Sequence, residues 1–158
     1  LSPGIKWPND VVLEGRKCVG ILCEGVTDPK GEMCIVVGAG FNLNQQAFGG
    51  ELAAKATSLR VALGEPVDRR VFLSRYLLHM ERAMDALETK GFAGIQPEYA
   101  ARSVTLGRTV QVIGAGETFT GMAEHIDAEG ALHVRDSAGT LRRVLSGDVS
   151  VRGVMGYV

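Results

Sequence analysis

The sequence is short of the features that would tie it to a membrane, a nucleic acid or a disulfide framework. Its charges nearly cancel, 17 Lys and Arg against 18 Asp and Glu, so no excess points to a polyanion or an anionic lipid surface. No apolar run approaches the ~18–20 residues needed to span a bilayer. The longest, around Val19–Cys23 and Ile35–Val37, are strand-length. There are three cysteines, Cys18, Cys23 and Cys34. The odd number and the lack of a C-x-x-C pair argue against disulfides and a zinc site. They read instead as small hydrophobes within strands of a cytoplasmic protein. His79, His125 and His133 stand far apart in sequence, which predicts surface or packing roles rather than metal ligation. Repeats and low-complexity tracts are absent, as are an initiator Met and a signal-peptide pattern. Leu1-Ser2-Pro3-Gly4 reads like the middle of a protein, and a fragment preceded by further sequence is expected.

What remains is an ordinary globular composition over 158 residues, 46% hydrophobic and 22% charged, which argues against disorder. Residues 5–44 read as three strands, Asp10–Leu13, Lys17–Val26 and one starting at Met33–Val37. Glu14-Gly15 and Asp28-Pro29-Lys30-Gly31 supply the turns. Short turns predict an antiparallel or meandering sheet rather than βαβ units. A loop with one short helix follows over 45–66. Asp68 suits an N-cap for a long helix over 69–89. Its Leu73, Leu77, Met80, Met84 and Leu87 recur at three- and four-residue spacing and predict a buried stripe. Lys90-Gly91 stops that helix, the glycine being free to go left-handed, and a short helix covers roughly 93–101. Five short strands then alternate with Gly-containing turns from Thr109 to Arg152, the pattern of a small barrel or sandwich. A domain boundary is expected near Ser103–Leu106.

Three stretches carry chemistry. In Lys6-Trp7-Pro8-Asn9-Asp10, Pro8 holds Trp7 extended and Asn-Asp suits a tight turn. Either Trp7 is buried at the head of a strand, or it offers a ring-stacking, phosphate-facing corner. In Lys17-Cys18-Val19-Gly20-Ile21-Leu22-Cys23-Glu24, a lysine stands at the mouth of an apolar strand. It is either a solvated strand-end charge or a cation held against a low-dielectric wall to bind an anion. Plain alternation puts Lys17 and Gly20 on opposite faces, so a shared ligand requires a bulge or a later strand start. In Gly38-Ala39-Gly40-Phe41-Asn42, glycines within a strand mark close approach by a ligand or backbone. Leu43 stands where a dinucleotide fingerprint would need its third glycine.

Together these motifs, in this order and spacing, resemble the biotin–protein ligase family, and Ala56-Thr57-Ser58-Leu59 matches a further family segment. The resemblance covers nearly the whole chain. It implies an α+β fold: a mixed or antiparallel sheet with packing helices, like class II synthetases, then a small Src-homology-3-like β-barrel. Residues 1–104 would be the C-terminal part of the catalytic domain and 105–158 the small domain.

The implied activity is ATP-dependent. Biotin's carboxylate attacks the α-phosphate of ATP to give biotinyl-adenylate, and a lysine of a biotin carboxyl carrier protein then takes the biotinyl group. By resemblance Lys17 sits beside the biotin carboxylate and neutralises the charge gathering there, while Gly20, Leu22, Gly38 and Gly40 line the biotin pocket. Lys6, Trp7, Asn9, Asn42 and, in the small domain, Arg152 would face ATP. Asp10 would hold Mg²⁺ or help deprotonate the incoming lysine; the sequence leaves both open. The family's Gly- and Arg-rich loop is missing from these 158 residues, so the isolated fragment is expected to be inactive in a radiolabelled-biotin transfer assay. A homodimer is open, while partners in the form of a membrane or nucleic acid are not expected from this region. The rival readings are a lipoate or octanoyl ligase or transferase of the same superfamily, and a non-catalytic biotin-binding module.

Overall fold

A computed structural model of the chain describes residues 1–114, 118–145 and 149–153, the last segment by its backbone alone. Two antiparallel sheets and a few helices make an α+β protein. The first sheet runs in sequence order through β1 (Gly4–Lys6), β2 (Asp10–Leu13), β3 (Arg16–Thr27) and β4 (Met33–Phe41). β3 and β4 form a long hairpin, closed by an Asp28 side chain that accepts from the backbone N–H groups of Lys30 and Glu32, each at 2.8 Å. Helices α1 (Leu52–Lys55), α2 (Leu59–Leu63), α3 (Arg69–Lys90) and α4 (Gln96–Arg102) follow, with a 3-10 turn over Phe92–Gly94. The second sheet holds β5 (Thr109–Gly114), β6 (Thr118–Ile126), β7 (Leu132–Asp136), β8 (Leu141–Val144) and β9 (Val149–Gly153), ordered β8-β7-β6-β5-β9.

The expected strands and the long helix are all present, within a few residues of their anticipated ends. Strand β1 was not anticipated: three residues around Ile5 are too short for a periodicity to register. Asp68 caps α3, accepting from Arg70 N at 2.8 Å and Val71 N at 3.3 Å, and Gly91 ends it at φ 62°.

The stripe on α3 departs from expectation. Leu73, Leu77, Met84 and Leu87 are exposed, Leu77 at 54%. The side of α3 that packs is the one bearing Phe72 and Tyr76, whose rings meet Phe41 edge-on at 5.0 and 4.8 Å between centroids. Periodicity tells which side of a helix is apolar, not whether a partner lies against it. Leu77→Ala is therefore expected to cost no more than about 0.5 kcal/mol, the range of surface substitutions, rather than the 2–5 kcal/mol of a buried leucine. Urea denaturation decides between the two. All three cysteines lie in strands as expected, but only Cys18 is buried; Cys23 and Cys34 are exposed on the outer half of the β3–β4 hairpin.

Buried apolar residues line both sheets, Val12, Leu13 and Cys18 among them on the first, and a hydrophobic cluster forms on the second. It gathers Val110, Val112, Ala123, Ile126, Leu132, Val134 and Val144, together with Trp7 from the other end of the chain. The turn after β6 is tied by charge. Asp127 takes Arg143 Nε at 2.7 Å and the backbone N–H of Ala131 at 2.9 Å, and His133 Nε2 lies 3.0 Å away, stacked on His125 at 4.2 Å. Arg143 and His133 hold the Asp127 carboxyl far below the usual carboxylate range. A lowered folded pKa means that the stabilisation is complete above the unfolded value of about 3.9 and fades as pH falls below it. Asp127→Asn should accordingly lower the thermal midpoint at pH 7, and the gap from wild type should shrink below about pH 4. A gap constant down to pH 2 would refute that assignment.

Candidate functional site

The site is built on register. Lys6 lies opposite Asp10, Asp10 opposite Gly20, and Gly20 opposite Gly40, so one row crosses all four strands of the first sheet. Directly opposed residues share a face, as do residues two apart on one strand. Leu22 and Gly38, also opposed, therefore extend the same face.

Lys17 joins this face through a bulge. Val11 pairs with Val19 but Val12 pairs with Lys17, leaving Cys18 as an extra residue on β3. One extra residue reverses the alternation, turning Lys17 onto the side of Asp10 and Gly20. Its ammonium then meets Asp10 Oδ1 at 2.5 Å; the lysine side chain is 39% exposed and the aspartate 10%. A Cβ on Gly20 would stand 2.8 Å from Lys17 Cε and 2.9 Å from Nζ. The lysine thus lies across the glycine, and a larger residue at position 20 would push the ammonium aside.

The Ala56-Thr57-Ser58-Leu59 segment backs the bulge. Thr57 N donates to Lys17 O at 2.8 Å, Asn42 N to Cys18 O at 2.9 Å, and Leu59 N to Asn42 O at 3.0 Å. Ser58 caps α2, accepting from Val61 N at 3.1 Å and donating to Gln45 O at 2.6 Å. The motif was visible in sequence; its task, holding the backbone on both sides of Lys17, was not. Burial pushes the Cys18 thiol up, as suits a packing residue beside this scaffold.

Other expected residues are placed differently. Trp7 is 2% exposed within the core of the second sheet, and its indole N–H donates to Gly130 O at 3.0 Å. So buried, its ring has no free face for a nucleotide, and the buried-Trp alternative is the one realised. Asn9 is occupied in holding β3: its Nδ2 donates to Ile21 O at 2.5 Å, and its carbonyl accepts from Ile21 N at 3.0 Å. Lys6 is buried beside Asp10. Arg152 pairs with Gln111 along the β5–β9 ladder, but its side chain lies outside the described residues. The turn that holds Trp7 involves residues no motif had marked, namely Tyr99, Thr105 and Gly130.

The Asp10 carboxylate is engaged by Lys17, and no group of three or more His, Cys, Asp or Glu side chains converges among the described residues, so a magnesium ion here would rest on this one carboxylate and on substrate phosphates. Chemically, the face offers the Lys17 ammonium, held by Asp10 above a glycine floor, with Lys6 at the end of the same row. That arrangement suits an elongated ligand with an anionic end.

Comparison with known proteins gives two family matches. Residues 4–42 match the biotin/lipoate A/B protein ligase family, and residues 105–152 the biotin protein ligase C-terminal domain. The chain is 34% identical over 153 residues to the bifunctional ligase/repressor BirA of Bacillus subtilis, covering 96% of this chain and 47% of that protein. It is 36% identical over 138 residues to the biotin–[acetyl-CoA-carboxylase] ligase of Paracoccus denitrificans, covering 85% and 58%. The biotin protein ligase of Aquifex aeolicus, solved in complex with biotin and ATP, superposes with a TM-score of 0.85 at 27% identity, covering 97% of this chain and 63% of that one. The chain spans about half the length of the curated relatives it matches.

Proposed function

Because this chain belongs to the biotin protein ligase family, we propose that the protein it comes from joins biotin to a lysine of a carboxylase's biotin carboxyl carrier protein at the expense of ATP. The observation that carries this reading is the Lys17 ammonium, turned by the β-bulge onto the glycine face and held there by Asp10. In the first step an oxygen of biotin's carboxylate bonds to the α-phosphorus of ATP and pyrophosphate leaves. Two anions must meet, and a fixed cation at the meeting point stabilises the charge that builds up. Lys17 supplies it, and Asp10 keeps the ammonium from swinging into solvent. In the second step the carrier lysine's neutral amine attacks the acyl carbon and AMP leaves.

Gly20, Gly38 and Gly40 let the ligand lie against the sheet, with Leu22 as apolar wall. Lys6, Asn42 and Arg152 remain our candidates on the nucleotide side, and Asn9 acts there through the backbone it holds. Magnesium belongs to this reading as the companion of the triphosphate, with Asp10 as its candidate carboxylate. We take 1–104 as part of the catalytic domain and 105–158 as the small domain. A cytoplasmic setting accords with three free cysteines. No helix among the described residues is long and apolar enough to cross a membrane.

The test is calorimetric titration of the full-length protein with biotin and with lipoate, followed by biotin-dependent pyrophosphate release from ATP. Biotin should bind and drive release. Binding of lipoate in its place would favour the lipoate reading, and biotin binding without turnover would favour a non-catalytic module.

A further inference from the structure

The three residues between β1 and β2 are each held from outside their own hairpin. Trp7 N donates to Thr105 Oγ1 at 2.9 Å, and its indole N–H to Gly130 O at 3.0 Å. Pro8 O accepts from the Tyr99 hydroxyl at 2.9 Å. Asn9 grips Ile21 through both its carbonyl and its side-chain amide. Around these contacts the joint between the sheets is tight. Val104 N donates to Ile5 O at 2.9 Å, Gln96 Nε2 to Ile126 O at 2.6 Å, and Phe92 packs edge-on against Tyr99. The turn is flanked by Lys6 and Asp10, and Ile21 adjoins Gly20.

We infer that Trp7–Asn9 is a strut through which the second β domain positions the Asp10–Lys17 pair, with Trp7 and Tyr99 as positioning residues. The inference rests on the catalytic role assigned to that pair. The physical reasoning is short. Asp10 reaches Lys17 from the first residue of β2, directly after the Trp7–Asn9 turn. Its N-terminal neighbours are anchored to a core made by residues about a hundred positions away. Burying the indole in that core makes its direction insensitive to solvent motion. Asn9 then transfers the alignment to β3 by two hydrogen bonds. A second domain that merely stabilised the chain would not need both donors of Trp7, to Thr105 and to Gly130, to end on the residue that opens this turn.

The experiment uses the full-length protein with Tyr99→Phe, which removes the hydroxyl bonded to Pro8 without opening a cavity, and Trp7→Phe, which keeps an aromatic ring but loses the indole donor. Backbone amide exchange over Asn9–Ile21 should quicken in both. The rate of biotinyl-adenylate formation, measured well below the unfolding midpoint, should fall about tenfold, with KM for biotin and ATP within twofold of wild type. An unchanged exchange pattern in both variants overturns the strut, whatever the rate does. Quickened exchange with a rate within twofold of wild type overturns it as well, leaving the contacts purely stabilising. If wild type makes no adenylate, the proposed function fails, and the exchange result alone then decides the strut.

Discussion

Replacing Lys17 by alanine in the full-length protein is expected to slow biotinyl-adenylate formation by about 10²–10³, the usual loss for one preorganised charge stabiliser. Binding of biotin's ring system should persist, since the glycine face is untouched. The substitution also takes that ammonium from the Asp10 carboxylate, only 10% exposed on its side chain, and removing one partner of a buried carboxylate costs stability. The double variant Lys17→Ala, Asp10→Asn separates the two effects. It should regain stability relative to Lys17→Ala but not activity. Single-turnover measurement of adenylate with wild-type-like rates in Lys17→Ala would remove the lysine from the mechanism.

Trp7→Ala should produce the largest loss of stability, about 3–5 kcal/mol, the range for truncating a buried aromatic residue. The indole fills part of a core built by Val110, Val112, Leu132 and Val134, and Gly130 O would lose its donor. Because that core lies in the second sheet, the damage should appear in strands β5–β8, far along the chain from the substituted residue. Guanidinium unfolding, with amide exchange read per strand, checks both size and place. A loss below about 1 kcal/mol would show that the second sheet packs without the indole.

Much of the architecture could be read locally. Asp28-Pro29-Lys30-Gly31 marks the β3–β4 turn, and Asp68 with Gly91 brackets the long helix, because turn and cap chemistry is settled within four or five residues. The stripe on α3 misled, since an apolar side needs a partner, and among the described residues only the Phe72–Tyr76 side meets one, at Phe41. Trp7 offered two readings that no neighbouring residue could separate. Its partners, Thr105 and Gly130, lie 98 and 123 residues away.

By itself, then, the sequence determined most of the strands and the long helix, the family, and which lysine, aspartate and glycines to watch, because these depend on residue type and short-range spacing. Tertiary structure alone decided that Lys17 faces Gly20, and that Trp7 serves the second sheet rather than a ligand. The first turns on a single unpaired residue, Cys18, whose insertion shows only when β3 is laid against β2. The second turns on burial, which is a property of whatever the folded chain brings alongside.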